Sequence, residues 1–402
     1  MKKYLVIFNG TIVTGGHEIR DGVVVIQDHK IIDAGRQGYP EIPSEADRID
    51  AEGNYIIPGM IDIHVNGAMG ADVTKLTSDT FRTMGDFFVK HGVTAYLPTA
   101  ITSPDDVFIS VLEHTREFMK QDFRDSAEVL GIHMEGPYLS PEQSGAHPRQ
   151  YLALPDPSHY SRFLAYDDVL KKMTLAPELS GASQLVRDLK DRGIIAAAGH
   201  CNGIYPEMIG AIDQGITHVT HFFCNMSHFR RHHLKRVAGA VETFLYDNRV
   251  TAELIADGWH VDSILMKLLV HVKGVDNVCF VTDAMPAAGL PDGRYFIGST
   301  EAIVENGIAR LPDHSAYAGS VTTMDKCLET GINSMGLSFQ DALCMVTSTP
   351  AKIIGVDHRK GGIEKNKDAD IVIIDGQANV LKTIVMGKLV YIKPKEICIG
   401  SK

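Results

Sequence analysis

The 402-residue sequence is short of positive charge and has no long hydrophobic run. Its 39 Lys and Arg residues against 50 Asp and Glu residues give a formal net charge of −11. Non-specific nucleic-acid binding depends on cationic side chains that neutralise phosphates, so this balance excludes that class of protein. No apolar stretch approaches the roughly 20 residues that a membrane-spanning helix needs. We therefore expect a small-molecule partner, with neither nucleic acid nor membrane involved.

Cysteine is also scarce and lacks the paired spacing of a disulfide framework or a zinc finger. The six cysteines are scattered at positions 201, 224, 279, 327, 344 and 398. This pattern predicts buried free thiols in a cytoplasmic protein. The apolar start of the chain, Met1–Phe8, has the look of a short signal peptide, but Asn9-Gly10 predicts that it is a strand that ends in a turn.

Short alternating strands occupy both ends of the chain and predict one small β-sandwich domain. We assign it residues 1–55 and 359–402, because either end alone has too few strands to bury a face. Between them, apolar strands alternate with helix-like segments, as expected for an α/β fold. Eight strands are predicted over residues 56–64, 93–98, 129–135, 173–177, 194–200, 217–221, 250–256 and 278–283. They indicate a (β/α)₈ TIM-like barrel over residues 56–358, with a hairpin-like insertion at 294–311.

Several of these strands end in a residue that can bind a metal or move a proton. Glu135 ends the third strand, His200 and His221 end the fifth and sixth, and Asp283 ends the eighth. The carboxyl ends of barrel strands meet at one mouth, so these groups should converge. A carboxylate and two imidazoles form a three-ligand metal set that leaves a position for water. Asp283 is then the expected general base and acid for hydrolysis at an acyl or amidine carbon.

The first strand and three loops carry further candidates. His64 and Asn66 share a strand face, and His64 is a candidate ligand for a second metal. His147, in the loop after Glu135, is placed to polarise a carbonyl, and His260 ends another loop. The segment 227–236 concentrates histidine, arginine and lysine in an otherwise acidic chain. It would suit an anionic substrate such as a phosphate ester, or it is a solvated or subunit-contact loop.

Several motifs together resemble the N-acetylglucosamine-6-phosphate deacetylase family of the amidohydrolase superfamily. They are Pro58–His64, Gly131–Pro137, Gly199–Asn202, Thr220–His221, Ala256–Asp262 and Val281–Ala284. The resemblance implies that Glu135, His200 and His221 bind a divalent metal and that Asp283 is the catalytic acid and base. It also implies that His147 steadies the substrate carbonyl, that His260 contacts the sugar, and that a homodimer shares the phosphate site between its subunits.

The chain departs from the family pattern at the metal and phosphate sites. Members with His-x-His in the first strand can hold two metals and those with Gln-x-Asn hold one, whereas His64 and Asn66 fall between these patterns. The family run His-Leu-Tyr-Asn-Ala-Met is replaced by residues 221–226, so Cys224 and Asn225 occupy the phosphate-contacting positions. The family's phosphate arginine corresponds to Arg230 or Arg231, and we assign Arg231. Ala146 and Tyr317 complete the predicted substrate contacts.

These observations predict a metal-dependent enzyme of amino-sugar and carbohydrate metabolism. The expected reaction removes the N-acetyl group from N-acetylglucosamine 6-phosphate and releases acetate. The expected cofactor is zinc, or else iron, manganese or cobalt, with one or two ions per subunit. The alternatives are deacetylation of N-acetylgalactosamine 6-phosphate, an amidohydrolase acting on a cyclic amide or amidine, or a binding protein that has kept the barrel and lost turnover.

Overall fold

The computed structural model describes residues 3–38, 41–121 and 125–394. Its centre is a closed barrel of eight parallel strands, and a ninth strand of two residues, Glu128–Val129, pairs with the second of them. The strands in chain order are β1 (Met60–Val65), β2 (Val93–Ile101), β3 (Ile132–Glu135), β4 (Leu170–Leu175), β5 (Ile195–Ala198), β6 (His218–Val219), β7 (Thr251–Ile255) and β8 (Val278–Val281). The barrel closes between β8 and β1, where the Asp283 amide donates to the His64 carbonyl at 3.0 Å. The predicted fold class is confirmed.

Ten α-helices lie in the described part of the chain, and the first seven each follow the strand of the same number. They are α1 (Thr80–Phe88), α2 (Asp105–Met119), α3 (Pro157–Leu164), α4 (Ala182–Asp191), α5 (Tyr205–Gln214), α6 (Ala240–Tyr246), α7 (Ser263–Lys273), α8 (Met324–Asn333), α9 (Phe339–Val346) and α10 (Ser348–Ile353). The buried stripe of α4, which includes Leu185, Val186 and Leu189, shows why apolar residues spaced at three and four positions pack a helix onto the barrel.

The two ends of the chain meet in a second sheet of eight strands. Its strands are Tyr4–Thr14, His17–Gln27, Lys30–Arg36, Asp47–Asp50, Tyr55–Pro58, Ile371–Ile374, Val380–Val385 and Lys388–Ile392. The turn predicted at Asn9-Gly10 is wrong, because the first strand continues through it with a change of register between Ile7 and Gly10. Asn9 takes the left-handed conformation, φ 57°, so the pair forms a bulge and no turn. Residues 395–402, including Cys398, lie outside the described residues.

Gly59 divides the first predicted barrel strand into two. Residues 55–58 pair with the terminal sheet and β1 begins at Met60, so the single strand expected over 56–64 is corrected. A Cβ on Gly59 would lie 2.0 Å from the Thr94 hydroxyl oxygen, and this close approach requires glycine. The domain boundaries themselves stay a prediction, with the change of sheet occurring at Gly59.

A buried group of charges joins the terminal sheet to the barrel. Lys360 is fully buried and pairs with Glu128 at 2.7 Å, with Asp368 at 3.4 Å and, at close range, with Asp370. Arg359 also bonds Glu128 and Asp368. Because each buried carboxylate has a cationic partner, the cluster avoids the cost of an isolated buried charge.

The insertion after β8 forms the hairpin-like structure that was predicted, with strands Gly293–Ile297, Thr300–Glu305 and Ile308–Arg310. Its buried Ile297, Ala302 and Val304 pack against Ile101 at the barrel mouth. Within the described residues, no helix combines the length and apolarity that crossing a bilayer demands.

Candidate active site

Glu135, His200 and His221 converge at the carboxyl ends of their strands. One carboxylate oxygen of Glu135 lies 3.2 Å from His200 Nε2 and 3.0 Å from His221 Nε2, and the two nitrogens are 2.9 Å apart. All three side chains are buried. Functional residues of such barrels gather at this mouth, where the carboxyl ends of the strands meet.

Three residues at the strand ends of the site have an unfavourable backbone conformation. His200, His221 and Asp283 have φ values of 48°, 28° and 48°, in the left-handed region that non-glycine residues seldom adopt. The turn at Asp283 is held by its carbonyl, which accepts from the Ser320 amide at 2.8 Å. Such strain persists only where surrounding contacts enforce it, and it is typical of functional sites.

The donor set fits a divalent metal. His200 Nδ1 lies 2.7 Å from the Gln143 carbonyl, which fixes the proton on Nδ1 and leaves the Nε2 lone pair facing Glu135 and His221. Burial lowers the pKa of His200 to about 4, so its imidazole stays neutral. Burial opposes ionisation of Glu135, yet the neighbouring His64 and His147 hold the pKa of its carboxyl well below the usual range. Two nitrogens and one carboxylate oxygen are ligands that zinc and its neighbours accept.

Asp283 lies beside this cluster and outside it. Its Oδ1 accepts a hydrogen bond from the Asn66 amide at 2.7 Å and lies 3.4 Å from His64 Nε2. Burial raises the pKa of the Asp283 carboxyl. A carboxylate that is oriented by an amide and faces the cavity has the geometry of a general base.

His64 lies beneath the cluster, fully buried in β1. Its Nδ1 is 2.9 Å from Glu253, and its Nε2 is 3.4 Å from both Glu135 and Asp283. The imidazole therefore points its second nitrogen between the two carboxylates that face the cavity.

His147 approaches the cluster from the loop after β3. The Thr102 amide donates to its Nδ1 at 3.3 Å, and the Thr102 hydroxyl lies 2.8 Å from the same nitrogen. With Nδ1 accepting from the amide, the ring proton is on Nε2, which lies 3.5 Å from Glu135. His147 can then donate a hydrogen bond to a carbonyl oxygen held in the cavity.

A cavity of about 260 Å³ opens beside these groups. Most of the predicted substrate contacts line it: Ala146, Cys224, Asn225, His260 and Tyr317. The His260 imidazole is oriented by Asp257, at 2.7 Å, and its ring packs on Tyr317 with 4.5 Å between centroids. This wall presents an oriented imidazole, an amide and an aromatic ring to a polar ligand.

Arg231 is a predicted site residue that does not reach the cavity. It lies on an exposed hairpin, Arg230–His232 paired with Lys235–Val237. No arginine or lysine of the described residues lines the cavity. Arg230 is occupied within the chain, since its guanidinium donates to the Asn202 side chain at 2.9 Å and to its carbonyl at 2.7 Å. Of the two candidates, Arg231 is the one that remains exposed.

Sequence reasoning missed the polar residues inside the barrel below the site. Lys172 and Glu253 are fully buried and paired, and His133 and His218 are buried beside them. The available signal was a charged residue within a barrel strand, Lys172 beside Lys171 in Leu170–Leu175 and Glu253 in Thr251–Ile255. A buried charge must have a partner, and that requirement pointed to an internal pair.

The architecture and the Glu-His-His cluster at the barrel mouth are those of a metal-dependent hydrolase. In agreement, a model of the Amidohydrolase family matches residues 55–390, which covers the whole barrel and part of the terminal sheet.

Comparison with individual relatives shows which amidohydrolases the chain is most similar to in sequence and structure. The N-acetylglucosamine-6-phosphate deacetylase of Bacillus subtilis (strain 168) is 33% identical over 398 residues, 98% of each chain. The crystal structure of the Pasteurella multocida deacetylase of the same name superposes with a TM-score of 0.91 at 31% identity, over 97% of this chain and 100% of that one. A mutant of the Mycobacterium smegmatis deacetylase, solved in complex with N-acetyl-D-glucosamine-6-phosphate, gives a TM-score of 0.88 at 27% identity. The match covers 96% of this chain and 99% of that one. The chain belongs to the N-acetylglucosamine-6-phosphate deacetylase family of amidohydrolases.

Proposed function

We propose that the protein is a metal-dependent hydrolase that removes the N-acetyl group from N-acetylglucosamine 6-phosphate, giving glucosamine 6-phosphate and acetate. The observation that carries this proposal is the convergence of Glu135, His200 and His221 within 3.2 Å, with Asp283 beside them at the cavity. The B. subtilis and P. multocida relatives carry the corresponding name over nearly the whole chain.

The cofactor is a divalent cation held by Glu135, His200 and His221, and we propose zinc, with iron, manganese or cobalt as substitutes. When bound, such a cation acts as a Lewis acid that polarises the acetyl carbonyl and lowers the pKa of water. His64 is the residue that a second cation would use, because its Nε2 faces both Glu135 and Asp283 at 3.4 Å. Each subunit would therefore hold one cation at the three ligands, or two if His64 is also used.

Asp283 and His147 supply the proton transfers and the orientation. Asp283 takes a proton from the attacking water and returns it to the amine nitrogen as the C–N bond breaks, which leaves acetate and a free amine. His147 donates its Nε2 proton as a hydrogen bond to the acetyl oxygen and stabilises the negative charge that develops there. Asn66 holds the carboxylate of Asp283 in position at 2.7 Å.

The sugar end of the substrate contacts Ala146, Cys224, Asn225, His260 and Tyr317. The phosphate needs a cation that this cavity wall does not supply, and we assign that role to Arg231 on the exposed hairpin. In this arrangement, Cys224 and Asn225 replace the asparagine and alanine usual in the family.

We infer that the protein is a homodimer. Helix α7 leaves an apolar stripe exposed to solvent, formed by Ile264, Leu265, Leu268 and Val272, and Leu234 at the hairpin tip is 83% exposed. A contiguous exposed apolar surface of this kind favours a protein contact. If the hairpin of one subunit covers the cavity of the other, its Arg231 reaches the phosphate bound in that cavity. Analytical ultracentrifugation of Leu268→Asp should show a shift from dimer to monomer, and an unchanged mass would contradict this contact.

We place the enzyme in cytoplasmic amino-sugar metabolism. The five cysteines within the described residues are all free thiols, which supports a reducing compartment.

The proposed reaction is tested by acetate release from N-acetylglucosamine 6-phosphate, its galacto epimer and unphosphorylated N-acetylglucosamine. We expect the highest kcat/KM with the first, a lower value with the epimer, and the lowest without phosphate. Ammonia release, or equal turnover with and without phosphate, would contradict the assignment.

A further inference from the structure

Lys172 and Glu253 form an ion pair inside the barrel that the proposed chemistry does not use. Both side chains are completely buried, on β4 and β7. The Lys172 ammonium bonds Glu253 Oε1 at close range and donates to the Ile63 carbonyl at 3.0 Å. The pair therefore sits directly below the residues at the barrel mouth.

The carboxylate of Glu253 accepts from four donors. Besides Lys172, His218 Nε2 lies 3.1 Å from Oε1, while His64 Nδ1 and the backbone amide of His221 lie 2.9 Å and 3.3 Å from Oε2. Two of these four donors belong to the candidate metal site. Simple packing would not require one buried carboxylate to reach both.

The contact with His221 bears on the geometry of a proposed ligand. His221 has φ 28°, a conformation that its neighbours must enforce. Glu253 holds this turn twice, because its side chain accepts from the His221 amide and its backbone carbonyl accepts from the Phe222 amide at 2.8 Å. The direction of the His221 imidazole therefore depends on Glu253.

The hydrogen bond between Glu253 and His64 fixes the orientation of the His64 imidazole. The proton on Nδ1 is donated to Glu253, which leaves Nε2 aimed at Glu135 and Asp283 at 3.4 Å each. Loss of the Glu253 carboxylate would free the ring to rotate away from both groups.

We propose that Glu253, with Lys172 as its counterion, is a positioning residue that sets the His221 ligand geometry and the orientation of His64 beside Asp283. This inference rests on the proposed hydrolase function. Its effect reaches the cation and the reacting groups through the two histidines.

The test compares Glu253→Gln, Glu253→Asp and the double variant Lys172→Met/Glu253→Gln with the wild-type protein. The double variant leaves no unpaired buried charge, so it should fold even where Glu253→Gln does not. The matched control is Asp370→Asn, which disrupts another buried lysine–carboxylate pair, at the terminal sheet. Folding is followed by circular dichroism, and Co²⁺ binding is titrated through the d–d absorption of the ion, without substrate.

We expect Glu253→Gln and the double variant to bind Co²⁺ at least about tenfold more weakly, with an altered d–d spectrum. Glu253→Asp should lie between them and wild type, and Asp370→Asn should bind Co²⁺ as wild type does. With saturating Co²⁺, kcat should fall while KM changes less than about twofold. Unchanged affinity and spectrum in the folded variants would overturn the proposal, as would an equal loss in Asp370→Asn or a failure of all three Glu253 variants to fold. A wild-type protein that binds Co²⁺ but releases no acetate would refute the proposed function alone.

Discussion

Replacing Asp283 with asparagine should abolish most turnover and leave cation binding intact. Asparagine keeps the size of the side chain and an oxygen that can accept from Asn66, now at 2.7 Å, but it cannot take a proton. Asp283 is not one of the three clustered ligands, so the affinity for the cation held by Glu135, His200 and His221 should not change. A general acid or base contributes roughly 10²–10⁴ in rate, about 3–5 kcal/mol of barrier. Because Asp283 is assigned both proton transfers, we expect a loss of kcat near the upper end of this range.

The assay pairs elemental analysis of the purified variant with acetate release at saturating substrate. Asp370→Asn, at a buried carboxylate that does not line the cavity, controls for the general effect of an Asp-to-Asn change. Turnover above about a tenth of the wild-type value, with a full complement of cation, would refute the role assigned to Asp283.

Three further changes test other parts of the molecule. Arg231→Ala should raise KM for the phosphorylated sugar at least about tenfold, measured against Lys235→Ala from the same hairpin, and should not affect the unphosphorylated sugar. Burial raises the pKa of Glu178 to about 7, above its unfolded value, so its favourable contribution to folding is present at low pH and is lost as pH rises towards 7. Glu178→Gln should therefore raise the free energy of unfolding at pH 8, on the order of 1–2 kcal/mol, but not at pH 4 in denaturant titrations; a pH-independent change would contradict this. Lys360→Met should cost about 3–5 kcal/mol of stability, because its carboxylate partners remain buried, and should leave Co²⁺ affinity unchanged.

The sequence was enough to predict the groups that end strands. Glu135, His200, His221 and Asp283 each follow an apolar run, and a parallel barrel brings the carboxyl ends of all its strands to one mouth. Their convergence therefore follows from the strand pattern alone, without any knowledge of distances.

The internal support of the site was not predictable in this way. Lys172 and Glu253 are distant in sequence, and which buried charges pair depends on the register of β4 and β7 within the closed barrel. The break at Gly59 was missed for a related reason, since the apolar run on either side is continuous and only the close approach of Thr94 reveals the change of sheet. The helices α3 and α6 were not predicted either, because each has too few turns to show a clear apolar period.

Gly59 also has a consequence for how far the molecule can be reduced in size. The strand that pairs with the terminal sheet ends at Pro58, and His64 follows within the next strand along the same backbone. Any displacement of the terminal sheet would therefore move the start of β1, the strand that carries His64. An isolated barrel, trimmed of both chain ends, should be a poor starting point for engineering a smaller catalyst.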